Sequence, residues 1–267
     1  MKTTKNVALI TGASSGIGKE FADLLAARKH PLVLVARDEA RLSGVANELR
    51  RQHGVEVWTL AIDLGLAGAA RELFEFTNQH QLEVELLLNN AGIGLYGEHS
   101  AMAEGRIVHM LQLNIATLCD LCQLYGAEMK ARKSGRILNV ASTAAYQPTP
   151  FFAAYGASKA FVLNFSEALA MELADHGVSV SCLSPGPTDT RFFGEIDARG
   201  GKPPAHFSKA DRHDARSVAE LGIKTMFSGE LSTIVGAGNA FRAWSLRFAP
   251  RSVVAKIAKS MMTTGGR

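Results

Sequence analysis

Val7-Ala8-Leu9-Ile10-Thr11-Gly12-Ala13-Ser14-Ser15-Gly16-Ile17-Gly18 runs from a short apolar segment into a glycine-rich turn, and Phe21, Leu24, Leu25 and Arg28 follow at helical spacing. Strand, glycine turn and helix in that order open a nucleotide-binding βαβ unit, in which glycines let backbone N–H groups approach a pyrophosphate at the helix N-terminus. Glycines 12, 16 and 18 are spaced G-x-x-x-G-x-G, which departs from the G-x-G-x-x-G of the general dinucleotide fingerprint. A plain structural turn is the competing reading, and the position between strand and helix argues against it.

Outward from that turn the chain keeps one rhythm. Residues 32–36 predict a second strand, 38–53 a polar helix, 55–62 a third strand, 67–80 a helix, and 84–88 a fourth strand closing on Asn89-Asn90-Ala91-Gly92. Residues 104–133 predict one long helix broken near its start, and 136–140 a fifth strand ending at Ser142. A helix over 152–175 precedes a sixth strand, 178–183, stopped by Pro185-Gly186-Pro187; a helix over 217–227 and a strand over 232–235 complete the set. Strands alternating with helices predict one α/β domain of Rossmann type over 1–267, a doubly wound parallel sheet of about seven strands with helices on both faces. Within it, 186–215 changes character: Gly200-Gly201, Pro203-Pro204 and the charged residues Arg191, Glu195, Asp197, Arg199, Lys202, Lys209 and Asp211 suit a lid or loop over a site. The tail, 241–267, reads as a helical extension, with Val253, Val254, Ile257, Ala258 and Met261 in one apolar stripe.

The bulk properties exclude several classes. The 267 residues are 47% hydrophobic and 20% charged, enough for a large core, and the net charge of +4 is too mild to argue for nucleic acid. No run of apolar residues free of charges and breakers is long enough to predict a membrane span. The N-terminal segment reaches its glycine turn after too few apolar residues for a secretory leader, and the three cysteines are sparse, so a cytoplasmic location is expected.

Tyr155-Gly156-Ala157-Ser158-Lys159 opens the helix over 152–175. Tyr155 and Lys159 are four apart and share a face. A phenol titrates near about pH 10 in isolation, and a neighbouring ammonium lowers that value towards the range a general acid/base needs. Alone, the pair reads first as an ordinary exposed helix pair; Ser142, at a strand end thirteen residues upstream, and the glycine turn favour the chemical reading.

Together, TGASSGIG at 11–18, Asp63, NNAG at 89–92, Asn114, Ser142, YGASK at 155–159 and PG at 185–186 resemble, in order and spacing, the short-chain dehydrogenase/reductase family over about the first 190 residues. QPTP at 147–150, SKAF at 158–161 and PGPT at 185–188 resemble a bacterial branch related to ketoacyl and hydroxysteroid reductases. The resemblance implies an oxidoreductase that interconverts a carbonyl and a secondary alcohol by hydride transfer. It implies Tyr155 as general acid/base, Ser142 hydrogen-bonding the same substrate oxygen, and Lys159 both depressing the Tyr155 pKa and holding the nicotinamide ribose. Asn114 would hold a relay water near Lys159 through a local irregularity in its helix. Gly12, Ser14, Ser15, Gly16, Ile17 and Gly18 would cradle the cofactor, Asp63 would reach the adenine, Asn90 and Ala91 would line it, and Thr188 or Thr190 would contact the carboxamide. An acid at the end of strand two selects a free ribose 2′-hydroxyl; here the last strand residue is Ala36 and Arg37 follows. A guanidinium binds a 2′-phosphate bidentately, so NADP is the expected cofactor, while Asp38, two positions on, keeps NAD open.

Other features carry competing readings. Cys119 and Cys122, three apart in the apolar stripe of a helix, read as core residues rather than a redox or zinc pair, and the scattered histidines predict no metal site. Residues 231–267 hold Arg242, Arg247, Arg251, Lys256, Lys259 and Arg267 and no acid. Packing on the domain or a second subunit is the preferred reading of this tail, with docking on a membrane surface or an acidic partner as the alternative. Gln147, Phe151, Phe152, Phe192 and Phe193, with segment 186–215, suggest a hydrophobic carbonyl substrate. The family resemblance implies a homodimer or homotetramer built on 105–132 and 152–175. Two further functions compete: a non-catalytic NAD(P)-sensing scaffold, disfavoured because Asn114, Ser142, Tyr155 and Lys159 are all present, and a Ser–Lys hydrolase using Ser142, which leaves the nucleotide motif unexplained.

Overall fold

The computed structural model describes residues 4–190, 192 and 212–263. Of the residues named above, Arg191, Phe193, Glu195, Asp197, Arg199, Gly200, Gly201, Lys202, Pro203, Pro204, Lys209, Asp211 and Arg267 lie outside the described residues.

The first half of the chain runs β1 (Lys5–Thr11), α1 (Gly16–Ala27), β2 (Leu32–Ala36), α2 (Glu39–His53), β3 (Val57–Ala61), α3 (Ala69–Gln79) and β4 (Leu82–Asn89). The second runs α4 (Arg106–Leu111), α5 (Thr117–Arg132), β5 (Gly135–Val140), α6 (Ala153–Ala174), β6 (Val178–Ser184), α7 (Ala215–Ser228), β7 (Ser232–Ile234), α8 (Ala237–Ser245) and α9 (Arg251–Thr263). The strands form one seven-stranded sheet in the order β3-β2-β1-β4-β5-β6-β7, and every pairing is parallel.

The inner strands β1, β2, β4, β5 and β6 bury both faces, which explains why they read as continuous apolar runs, while the edge strands β3 and β7 stay partly exposed. In β1, Leu9 joins Val33, Leu87 and Ile137 on one face and packs with Leu73, Leu121, Tyr125 and Val162. Its neighbours Ala8 and Ile10 join Leu34, Leu88 and Leu138 on the other face, with Phe21, Leu25, Leu42 and Ile223. One-residue alternation thus assigns successive side chains to two separate cores. The strand order reverses between β1 and β4, so the helices that follow them leave on opposite faces and open a crevice at the carboxyl ends of the strands.

The predicted elements differ from the observed ones mainly at their ends. β3 spans five residues rather than the eight expected, because its one neighbour, β2, offers partners only from Leu32, opposite Val57, to Ala36, opposite Ala61. The expected break in the long helix is a π-helical turn over Gln112–Ala116 between α4 and α5. By length and composition the run Arg106–Arg132 could cross a membrane, but Leu118, Leu121, Cys122, Tyr125 and Met129 on it are buried in the protein core. Cys122 and Cys182 are buried thiols, and burial pushes both up to about 12, which removes thiolate character and agrees with a packing role. The tail forms two helices rather than one, separated by a 3-10 turn at Leu246–Phe248.

Gly222 on α7 lets that helix lie against α1. A Cβ there would come within 2.8 Å of the Phe21 ring and 2.9 Å of Leu183 Cδ2. Gly222→Ala should therefore lower unfolding free energy by about 1–3 kcal/mol through overpacking, read from the urea midpoint at unchanged m-value.

Candidate active site

A cavity of about 690 Å³ occupies the crevice, lined by the β1–α1 turn, the ends of β2, β4 and β5, the start of α6, residues 185–190 and parts of α8 and α9. Its floor is the glycine turn. Gly12 holds φ +68°, and a Cβ on Gly18 would lie 2.2 Å from the Gly12 carbonyl oxygen. Ser15 precedes α1 without a side-chain cap, so the first-turn N–H groups keep their donor capacity beside Ser14, Ser15, Gly16 and Ile17, all of which line the cavity. Thr11 ties this turn to β4: its Oγ1 accepts from the N–H groups of Asn90 and Ala91 at 3.0 Å each, and Asn90 Nδ2 donates to the Thr11 carbonyl at 2.9 Å. Asn90 and Ala91, expected to line the cofactor, line the cavity, and the Asn90 amide in addition fixes the turn.

At the end of β2, Arg37 is exposed and lines the cavity. Asp38, which kept the NAD reading open, also lines the cavity, but both its oxygens are engaged: one accepts the Arg41 N–H at 3.0 Å as the cap of α2, and the other pairs with Arg41 Nε at 3.0 Å. Arg41 also lines the cavity; nothing in its helical position distinguished it in the sequence.

Asp63 lines the cavity, and its carboxylate is held by the Gly65 N–H at 2.8 Å and by His109 Nε2 at 3.1–3.2 Å. Burial raises its pKa, but the Gly65 and His109 hydrogen bonds, with the charges of His109 and Arg37, prevail and hold it below its ordinary value. His109 was not singled out by sequence, because only the fold brings α4 against the end of β3. A Cβ at Gly65 would overlap the His109 ring at 2.2 Å.

The other end of the cavity carries Ser142, Tyr155 and Lys159. The first two turns of α6 bury Tyr155 to 8% and Lys159 to 5% exposure. Ser142, at the end of β5, is fixed by accepting the Ala144 N–H at 3.1 Å. Lys159 Nζ donates to the Val140 carbonyl at 2.7 Å and lies 5.9 Å from the Tyr155 ring centroid. One expectation is corrected here. The lowering expected from Lys159 does not prevail: burial pushes Tyr155 up to about 12, offset in part by a hydrogen bond from Ser142. Burial likewise pushes Lys159 down to about 8, against the opposing effect of Cys182. With its ammonium bound to a backbone carbonyl, Lys159 gives the phenol too little compensation for leaving water.

Asn114 sits in the π turn and is buried. Its Oδ1 accepts the Ile93 N–H at 3.1 Å, and its Nδ2 donates to the Ile93 carbonyl at 3.0 Å and to Ser158 Oγ at 3.1 Å. A Cβ placed on Gly92 would lie 3.2 Å from Asn114 Oδ1 and 3.3 Å from Lys159 Nζ, so the two side chains bound the same small space. Thr188 is buried, donates to the Gly186 carbonyl at 3.0 Å and lines the cavity together with Thr190. Gln147, Phe152 and Phe192 also line it, with the Phe152 and Phe192 rings 4.7 and 5.5 Å from that of Tyr155. Phe151 does not reach the wall; its ring stands 6.3 Å from that of Tyr96. Leu246, Met261 and Met262 complete the apolar side. The tail's periodicity signalled an amphipathic helix but not which cavity it would close. Among the described residues no group of His, Cys, Asp and Glu could hold a metal ion.

The two shifts have opposite consequences for stability. Lys159 titrates at about 8 in the folded chain against 10.5 when free, so the unfolded chain binds more protons between those values and stability rises with pH across that window. Tyr155, raised from 10.0 to about 12, costs stability only above its free value. Thermal melts of the chain and of Lys159→Met should therefore show the difference between them moving in favour of the parent from about pH 8 to about pH 10.

Comparison with known proteins agrees with this geometry. A family model described as short chain dehydrogenase matches residues 6–200. The chain is 36% identical over 184 residues to a very-long-chain 3-oxoacyl-CoA reductase of Pyrenophora tritici-repentis, a match covering 66% of this chain and 53% of that protein. It is 34% identical over 182 residues to the 17-beta-hydroxysteroid dehydrogenase type 3 of Mus musculus, covering 67% of this chain and 58% of that one. The matches thus span little more than half the length of these curated relatives. Among solved structures, the short-chain dehydrogenase from Sphingobium yanoikuyae in complex with NADPH superimposes with a TM-score of 0.80 at 30% identity, covering 93% of this chain and 94% of that one. The extent of the family match and the structural likeness over 93% of the chain establish that this chain belongs to the short-chain dehydrogenase family.

Proposed function

We propose that the chain is an NADP(H)-dependent oxidoreductase that interconverts a carbonyl group and a secondary alcohol. The observation that carries this reading is the convergence of Ser142, Tyr155 and Lys159 on the same cavity as the glycine turn and Arg37. The residues fit the cofactor: the turn has no side chain to fill its floor at Gly12 and Gly18, and the capless start of α1 offers backbone donors to a pyrophosphate. Arg37 and Arg41 provide two cations for a 2′-phosphate, and the carboxylate of Asp38 is already engaged by Arg41. The relative from Sphingobium yanoikuyae, bound to NADPH, supports the same choice. When bound, the nicotinamide supplies or accepts the hydride.

The chain's own residues handle the oxygen and the proton. Tyr155 donates its phenolic proton to the carbonyl oxygen in reduction and takes it back in oxidation, while Ser142 hydrogen-bonds that oxygen and fixes its distance from the phenol. Burial keeps the Tyr155 proton in place at neutral pH, which suits reduction. Lys159 would hold the ribose hydroxyls and, with Asn114, bounds the space beside Gly92 where a relay water would sit. Asp63, clamped by Gly65 and His109, would hold the adenine with a fixed carboxylate. Thr188 would hold the carboxamide. Phe152, Phe192, Leu246, Met261 and Met262 make the substrate side apolar, in keeping with a hydrophobic carbonyl compound; the relatives are named for 3-oxoacyl-CoA and 17-beta-hydroxysteroid chemistry.

Tyr155→Phe should retain NADPH binding, followed by fluorescence titration, and lose about 10²–10⁴-fold in turnover on a panel of hydrophobic ketones. Parent-like turnover in that variant would rule out the assignment. A parent chain that binds NADPH but reduces no carbonyl compound would instead favour a cofactor-sensing scaffold. Arg37→Ala should weaken NADPH by roughly tenfold or more, the loss of a charge-assisted pair, while leaving NADH nearly unchanged; equal loss for both would place the 2′-phosphate elsewhere.

A further inference from the structure

Residues 237–263 pack on the domain through one set of side chains and present another outward. Ala243, Val254, Ala258 and Met262 are buried, and Tyr96 Oη donates to the Met262 carbonyl at 3.0 Å. On the outer side Phe241, Trp244 and Phe248 are 68%, 55% and 73% exposed and Val253 and Ile257 45% and 56%, while Met261, 39% exposed, stands where this side meets the cavity. The three aromatic rings touch in series, with centroids 6.0 Å apart for Phe241–Trp244 and 4.9 Å for Trp244–Phe248, so they form one continuous apolar ridge. Val253, Ile257 and Met261 follow at i, i+4 and i+8, a second stripe along α9. Six large apolar side chains in this state exceed the scattered single exposures of an ordinary surface.

The charges around them have one sign. Arg242, Arg247, Arg251, Lys256 and Lys259 are all exposed, and residues 231–263 contain no Asp or Glu. We infer that α8, the 3-10 turn and α9 dock on the surface of an anionic phospholipid bilayer, with the aromatic ridge at the headgroup–acyl boundary and the cations on the phosphates. Three observations select this occupant. Aromatic rings interleaved with Arg and Lys are the composition of helices that lie in a membrane interface. A second copy of the chain would set five cations against five, so self-association through this face opposes its own charge. The same segment also forms part of the cavity wall, through Arg242, Ala243, Leu246, Ala258, Met261 and Met262, so a docked chain would open its apolar wall next to lipid. The docking stands on surface chemistry alone and does not depend on the catalytic reading.

The test is co-sedimentation of the full chain with phosphatidylcholine vesicles, with and without phosphatidylglycerol. The parent should pellet with the phosphatidylglycerol vesicles and stay in solution with phosphatidylcholine alone. Phe241→Ser/Trp244→Ser/Phe248→Ser should remain in the supernatant with both. Arg247→Gln, Arg251→Gln and Lys256→Gln should each weaken binding by about fivefold. All variants should keep the parental NADPH affinity and thermal midpoint, which separates lost docking from lost folding. Failure of the parent to pellet, or parent-like pelleting of the triple serine variant, overturns the inference. Tighter binding to poly-glutamate than to vesicles would assign the face to an acidic protein instead. Dimerisation of the parent that the serine variant abolishes would assign it to a second copy.

Discussion

Thr11 makes the crevice. Its hydroxyl accepts the N–H groups of Asn90 and Ala91 and donates to the Leu88 carbonyl at 3.3 Å, while the Asn90 amide returns a hydrogen bond to the Thr11 carbonyl. These bonds fasten the ends of β1 and β4, the neighbouring strands between which the sheet order reverses. Because α1 leaves from one side of that pair and the chain after β4 from the other, the crevice widens from this point. Its depth places the glycine turn, the end of β4 and the start of α6 around one volume.

Dryness is the second organising condition. Tyr155 and Lys159 are polar groups that the fold has taken out of water, and burial moves each towards its neutral form. The phenol gives up the low pKa expected from its neighbour and gains a proton that stays in place until a hydrogen-bonded oxygen demands it. The ammonium, satisfied by Val140, is held with one donor already committed, so its remaining donors are aimed by geometry rather than by rotamer choice.

Much of this was legible in the sequence because the constraints are local. The glycine turn, the Tyr-x-x-x-Lys spacing and the serine at a strand end are imposed by short stretches of backbone, and strand alternation against two cores gives unbroken apolar runs. Even the interruption in the helix around Asn114 was foreseen from the family resemblance and appears as the π turn. What stayed hidden depends on contacts between distant segments. Arg41 resembled any surface arginine until α2 was placed beside β2, and His109 acquired meaning only when α4 met Asp63. That the lysine effect on Tyr155 does not prevail has the same origin, since pair spacing reports proximity but not the cost of leaving water. Likewise the tail's stripe was visible, while its division into an inward set and an outward set required the packed domain.

Asp38 carries a consequence for how this protein could change. The carboxylate that caps α2 is the acid already standing just past the end of β2. Turning it towards a ribose would uncap the helix, at about 1 kcal/mol, and would release Arg41 from its ion pair. A lineage that recruited Asp38 for a non-phosphorylated dinucleotide would therefore have to supply a new cap for α2, whereas an acid placed at Ala36 would leave the cap intact.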